Sequence, residues 1–323
     1  MPLQLLHSAS LSPVQNIAFE ESFLEQNDGE SKLLFWQSRS AVVLGKNQNP
    51  WMETNLGYCR EYGIDVARRF SGGGCVYQDM GNLNYALIRP RNGYSMEQIL
   101  DHLAKSFREQ GIQAERILEN ALGVAGLKFS GHAFCYRRDC VLHHGTLLIQ
   151  ANLGHLRNSL LPTEFRLNSH AVPSRPASVI NLSDFGLDLE QTRQLVIRGL
   201  ESALNDSVTE EIKLQPGDMQ ELARTEKFAS REWIWGQTPA FTLKDQREQS
   251  SLCFQIRRMR VEAVEGLSGA APLEGCSLLN GEIEGVLENL DPATGQLCRD
   301  LLSPFYGLSD FGSENDPGPG SEA

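Results

Sequence analysis

The chain has no apolar run approaching the roughly 20 residues that a membrane-spanning helix needs, so a membrane protein of that kind is not expected. Met1 to Ser10 lacks a basic stretch followed by an apolar one, and no signal peptide is read there. Basic residues are scarce: 29 Lys and Arg stand against 41 Asp and Glu, a formal net charge of −12. That balance argues against general nucleic-acid binding, which rests on a basic footprint. Any anionic ligand must be held by a local cluster against an unfavourable overall field. There is no GKS or GKT after a glycine run, no GxGxxG and no internal repeat. Seven cysteines, an odd number without the spacing of a small secreted scaffold, are read as reduced thiols of a cytoplasmic protein.

What is present is a packed α/β pattern. Ser12-Pro13-Val14-Gln15 reads as a capped helix start, with Val14, Ile17, Ala18 and Leu24 as its buried stripe. LLFWQ (33–37), AVVLGK (41–46) and IDVARRF (64–70) read as strands. CVYQD and LNYALI, on either side of Gly81-Asn82, read as a pair. Ser95 to Gln110 is the clearest helix, with Ser95 and Gln98 as a capping box and Gly111 as the stop. LKFSGHAF and CVLHHGTLLIQA are strand-like, and Asp188 to Asn205 is a further amphipathic helix. A boundary falls near Gln237-Thr238-Pro239. Beyond it, residues 251–266 alternate like a strand pair and Cys298 to Leu308 is helix-like. The last residues, SENDPGPGSEA, have the acidic, Pro/Gly-rich composition of a disordered tail.

Three segments carry chemistry. In ARRFSGGGCVYQDMGN (67–82) a glycine run follows two arginines. Such a run lets backbone N–H groups face an anion, and Arg69 adds a bidentate donor. A tight hairpin with exposed arginines is the plainer reading. In GLKFSGHAFCYRRDCVLHHGTLLI (126–149), Lys128 interrupts an apolar strand, where it either supports charge growing at phosphorus or is a surface lysine with a buried stem. His132, Cys135, Cys140, His143 and His144 are metal-ligand types, but their spacing fits no standard zinc knuckle. In KFASREWIWGQTPAF (227–241), Trp233 and Trp235 alternate as on a strand and read as an aromatic plug beside a domain junction.

Together these segments resemble the lipoate–protein ligase family, which carries RRxSGGGxVxHD followed by GN, then KxSGxA and HHGTLL, then WxWGxxPAF. VVLGKNQNPWMETN (42–55) adds to the likeness, which spans about residues 1–310. The resemblance implies an α+β fold of the biotin/lipoate ligase type. It implies a mixed sheet flanked by helices in a catalytic domain (1–240), a small α+β accessory domain (241–311) and an acidic tail (312–323). It implies that ATP, with Mg²⁺, converts lipoate to lipoyl-AMP and pyrophosphate. The lipoyl group then passes to a lysine of a lipoyl domain or a glycine-cleavage H protein. By position, Lys128 is catalytic and touches acyl and phosphoryl oxygens. Arg69 binds phosphate, and Gly74, Cys75, Val76 and Tyr77 line the adenylate. Ser71, Gly72 and Gly73 shape the lipoate pocket, with Ser130, Gly131 and His144 in support. The apolar tail calls for a tunnel that includes the first helix. No metal ligand set is assigned. Three positions depart from the pattern: Gln78 stands where His is usual, Asn120-Ala121 where Asn-Asp is common, and His132 where Ser is common. The alternative reading is a lipoyl or octanoyl transferase that works from preformed lipoyl-AMP or a carrier-bound acyl group.

Overall fold

A computed structural model describes residues 2–26, 29–162, 167–215, 222–245, 252–308 and 311. The acidic tail expected at 312–323 lies outside the described residues. Eight strands form the main sheet. From edge to edge they run Ser207–Leu214, Pro2–Ser8, Ser31–Trp36, Asn82–Pro90, Cys140–Leu148, Leu127–Arg137, Ala121–Val124 and Glu115–Ile117. The first three are parallel and the rest antiparallel, so the sheet is mixed.

Strand alternation sends successive side chains to opposite faces, and each face has its own core. Leu33, Phe35, Leu83, Tyr85 and Leu87 meet the helices Met96–Arg108 and Leu189–Leu204. Leu34, Trp36, Ala86, Ile88 and Leu142 meet the helix Pro13–Gln26. Ile17, Ala18 and Leu24 of that helix are buried as expected, whereas Val14 is only half-buried. Ser95 caps its helix by accepting from the Gln98 amide at 3.2 Å. The Gln98 side chain donates instead to the Ala203 carbonyl, so only half of the expected capping box forms. The complete box is at Asp188 and Gln191.

Three strands, Asp65–Arg68, Ala41–Leu44 and Val76–Gln78, make a second sheet. The sequence pairs CVYQD with LNYALI, but the structure separates them. Val76–Gln78 pairs with Ala41–Leu44, and Asn82–Pro90 lies between two strands of the main sheet. Gly81 is why the chain breaks there: a Cβ at this position would collide with the Gln150 carbonyl, so the backbone is pinned against another segment rather than free to form a hairpin.

The C-terminal sheet runs Leu167–Ser169, Phe241–Lys244, Cys253–Arg257, Arg260–Glu265. Its first strand comes from before residue 240. Its core is continuous with Val42, Leu44, Trp51 and Leu56 of the N-terminal part. Trp235 is fully buried here beside Trp51, which fits the plug reading. The strand expected around Trp233 is instead a short helix, Arg231–Ile234, because Ser230 caps it by accepting from the Trp233 amide. The last long helix is Pro292–Leu302, capped by Asp291, rather than 298–308; Pro304 follows its end.

Candidate active site

A cavity of about 470 Å³ lies where the main sheet, the second sheet and the helix Pro13–Gln26 meet. Arg69, Gly73, Gly74, Cys75 and Val76 line it from the glycine loop, and Lys128, Gly131, His144 and Thr146 from the main sheet. Ile17 and Glu20 of the first helix line it too.

Lys128 reaches the cavity through a β-bulge. Leu122 pairs with Ser130 but Gly123 pairs with Lys128, so Phe129 is one residue in excess. Simple alternation puts Lys128 on the face of Ser130 and His132. The bulge turns Phe129 into the helix-side core and aims Lys128 at the other face. A Cβ on Gly131 would lie 2.7 Å from the Lys128 Nζ, so the glycine makes room for the amine. Burial first, and Arg69 second, lower the Lys128 pKa from its ordinary value.

The two arginines divide their work. Arg68 is fully buried and donates to the carbonyls of Gly45, Lys46, Gln48 and Ile234 and to the Thr238 hydroxyl. It staples the loop after Leu44 to the junction at 234–238. Arg69 donates from Nη1 to the Val43 carbonyl, and from Nη2 to the carbonyls of Gly72 and Gly74. Those bonds fix the shape of the glycine loop, so most of its donors serve the protein itself. Burial lowers the Arg69 pKa to about 10, which still leaves a cation at neutral pH.

A directed hydrogen-bond chain runs from Arg69 into the cavity. Guanidinium and indole N–H groups can only donate. Arg69 Nε therefore donates to Ser71 Oγ (3.0 Å), and the Ser71 hydroxyl donates to His144 Nε2 (2.8 Å). His144 Nδ1 then donates to Glu20 Oε2 (2.7 Å), whose second oxygen accepts from Trp36 Nε1 (3.0 Å). One tautomer of His144 satisfies every member. Ser71 is almost wholly buried, so it orients its neighbours rather than meeting a ligand.

Residues 172–175 form a strap over the glycine loop. Ser174 Oγ accepts from the Cys75 amide (2.9 Å) and from Gln48 Nε2 (3.0 Å), and donates to the Glu53 carboxylate. Burial raises the Glu53 pKa, against the bonds from Ser174. The strap, Glu53, Glu20 and Trp36 were not singled out from the sequence. Residues 48–55 carried a family likeness, but nothing in the pattern linked them to residue 174.

Of the expected residues, Arg69, Gly73, Gly74, Cys75, Val76, Lys128, Gly131 and His144 line the cavity. Gly72 contributes its carbonyl to Arg69. Ser130 lies behind the wall, with Oγ 3.1 Å from His132 Nε2. Tyr77 does not line the cavity. It alternates with Val76 and is buried in the core with Val42 and Trp51, its hydroxyl on Ser40. Gln78 lines the cavity and donates to Asn84. His132 is buried against Tyr85 and His143, and burial pushes its pKa down to about 3. Among the described residues, no group of three His, Cys, Asp or Glu is arranged to hold a metal ion.

Residues 12–201 match the family model described as the lipoyl protein ligase A/B catalytic domain. The chain belongs to that family. Lipoate-protein ligase A of Bdellovibrio bacteriovorus is 33% identical over 255 residues, which is 75% of this chain and 74% of that one. Lipoate–protein ligase 1 of Staphylococcus aureus is 28% identical over 308 residues, covering 91% and 93%. Among solved structures, Plasmodium falciparum LipL1 in complex with lipoate superposes with a TM-score of 0.64 at 22% identity, over 92% of this chain and 98% of that one. A lipoate-protein ligase A bound with ATP gives 0.63 at 22%, over 73% and 100%. These two likenesses establish the lipoyl ligase fold for this family member.

Proposed function

We propose that the cavity is the active site of an ATP-dependent lipoate–protein ligase, with residues 1–240 as the catalytic domain and 241–311 as its accessory. The observation that carries this reading is the Lys128 amine in one cavity with the glycine loop and Arg69. A carboxylate is a poor acyl donor, so the first step joins lipoate oxygen to the α-phosphorus of ATP and releases pyrophosphate. Negative charge grows on phosphoryl oxygens, and a buried ammonium beside them stabilises it better than a solvated one. Lys128 supplies that charge, and amides of the glycine loop complete the cradle. In the second step the amine of an acceptor lysine attacks the acyl carbon. The C–N bond forms, the C–O bond to phosphate breaks, AMP leaves with the electron pair, and the amine proton goes to solvent. No enzyme nucleophile is needed.

A thioester route finds no support. No cysteine lies between residues 115 and 128, and burial pushes the Cys75 thiol up, away from thiolate. Mg²⁺ that accompanies ATP would take most of its ligands from phosphates and water. A bipartite archaeal ligase studied with its E2 lipoyl domain supports acceptors of the lipoyl-domain type, and the same reading extends to a glycine-cleavage H protein. Free thiols at all seven cysteines and the need for ATP support a cytoplasmic enzyme. Ala121, where the family has Asp, favours the second reading, transfer of preformed lipoyl-AMP. The test is incubation with ATP, Mg²⁺, lipoate and a panel of apo lipoyl domains, read by intact mass and pyrophosphate release. One lipoyl adduct with stoichiometric pyrophosphate is expected. Adduct only from added lipoyl-AMP selects the second reading, and no adduct from either rejects both.

A further inference from the structure

The strand Leu127–Arg137, which carries Lys128, loses its outer neighbour halfway along. The strand Ala121–Val124 pairs with it only as far as Gly131. One residue further, the His132 amide donates to the Asn120 carbonyl, and the His132 carbonyl accepts from Asn120 Nδ2. Beyond that point residues 133–137 pair with Cys140–Leu148 alone, ending with Arg137 opposite Cys140. Backbone groups alternate sides along an antiparallel strand. Phe134 and Tyr136 therefore turn theirs the way His132 does, toward the open side. Among the described residues nothing bonds to them there. Tyr136 is 51% exposed, whereas residues 140–143 on the paired strand are buried. An open edge of this kind is a template for another strand.

One end of this edge is the cavity, because Ala133 and Phe134 line it. Ala133 is two residues from Gly131, over which the Lys128 Nζ lies, hence about 7 Å along the strand. That is comparable with the length of an extended lysine side chain. The other end is basic. Arg137 and Arg138 stand at the hairpin turn, and Arg91 lies over the Tyr136 ring at 4.9 Å from its centroid. All three arginines are exposed. Arg91 and Arg138 have no carboxylate partner among the described residues. Arg137 comes no nearer than 3.8 Å to Glu21, which Lys227 already bonds twice. Asp139 is the one acid in the turn. In a chain of net charge −12, three arginines against one aspartate make a local field that selects an acidic partner.

We infer that the edge 133–137 docks an acidic strand of the acceptor protein, whose backbone pairs with Phe134 and Tyr136 and whose target lysine enters the cavity from the Ala133 end. The inference rests on the ligase reading above. Main-chain bonds fix the register of the docked strand, and register decides whether the lysine lands at the acyl carbon. The arginines decide which strands bind and how fast. The first half-reaction involves no acceptor and does not use the edge.

The test uses the full-length enzyme with ATP, Mg²⁺ and lipoate, and an apo E2 lipoyl domain as the probe. Pyrophosphate release without acceptor reports the first half-reaction, and intact mass gives the KM for the domain. Proline at an edge position whose N–H group faces outward removes that donor without breaking a ladder bond. Tyr136→Pro is expected to keep the pyrophosphate release and to raise the KM for the domain by about fivefold or more. Tyr136→Ala, which keeps the N–H group, is expected to raise it less. Arg138→Glu is expected to raise the KM and flatten its dependence on salt. In wild-type enzyme, amide hydrogen exchange at Phe134 and Tyr136 is expected to slow when the domain binds; this decides the matter if Tyr136→Pro does not fold. Equal KM in Tyr136→Pro and Tyr136→Ala overturns the inference, and so does unchanged exchange. An unchanged KM in Arg138→Glu overturns the acidic partner. If Tyr136→Pro splits a wild-type dimer and leaves the KM alone, the edge pairs with a second copy of this chain and the acceptor is overturned. A wild-type enzyme that makes no adduct from ATP and lipoate or from lipoyl-AMP sinks the ligase reading, and the inference falls with it.

Discussion

In the role proposed for it, Lys128 ties stability to activity. Its pKa is depressed because burial and Arg69 both oppose the ammonium. Between the folded pKa and the ordinary value of 10.5, the unfolded chain therefore binds more protons than the folded one. Stability rises with pH through that window, and at neutral pH the buried ammonium costs stability. Lys128→Met should raise the Tm while lowering the rate of pyrophosphate release by roughly 100-fold or more, the usual loss when a donor to a developing oxyanion is removed. Differential scanning calorimetry and a coupled pyrophosphate assay check the two halves. A variant that melts lower, or one that keeps its activity, contradicts the role given to the amine. The alkaline limb of kcat/KM should also fall below the pH at which an exposed lysine titrates. Lys128→Arg, where any activity survives, should move that limb upward.

At the scale of elements, the glycine loop is held by three contacts that leave no slack. Arg69 ties the carbonyls of Gly72 and Gly74, the Lys46 amide donates to the Ser71 carbonyl, and Gly45 lies directly against Gly73. A Cβ on Gly45 would collide with the Gly73 carbonyl oxygen, and backbone cannot rotate away as a side chain can. Gly45→Ala should therefore cost about 1–3 kcal/mol of stability as an overpacking change and displace the loop. We expect pyrophosphate release to fall more than the melting temperature alone explains. Gly57→Ala is the matched control: its nearest neighbour is the Asn55 side chain at 3.5 Å, ordinary contact, and it lies in the helix Leu56–Glu61. Equal behaviour of the two variants argues against a tightly held loop. The bulge at Phe129 acts on the same scale, because one extra residue decides which face of the main sheet receives the lysine.

At the scale of the whole molecule, the accessory part is fused to the catalytic part by a common core. Trp51 contacts Trp235, Phe241 and Phe305, and its Nε1 donates to the Pro304 carbonyl. Arg60 donates to the carbonyls of Tyr306 and Gly307. The strand Leu167–Ser169 completes the C-terminal sheet from the N-terminal side. A chain ending at residue 240 would expose Val42, Leu44, Trp51 and Trp235 together, an apolar patch of the kind that drives aggregation. Such a truncation should bind a hydrophobic dye and aggregate at temperatures where the full chain is monodisperse. A well-behaved, cooperatively melting 1–240 fragment would contradict the shared core.

Local signals were enough to mark the elements. The caps at Ser95 and Asp188, the alternation of the strands around 33–44 and 127–148, and the glycine stop at Gly111 all act through neighbours within a few residues. Two of the three motifs also marked the cavity wall, since Arg69, residues 73–76, Lys128 and His144 all line it. The Tyr77 side chain faces the core while Val76 faces the cavity, and strand pairing decides which. Glu20, Glu53 and Ser174 were invisible for a different reason. Each meets its partner across long stretches of chain or across a strand pairing, and no periodicity encodes such meetings. The sequence alone marked candidate side chains for the chemistry and most of the helices and strands, because those depend on residue type and short-range spacing. Only the tertiary structure decided that a bulge turns Lys128 into the cavity and that the glycine loop lies across from it, because the first follows from strand register and the second from packing between segments distant in the chain.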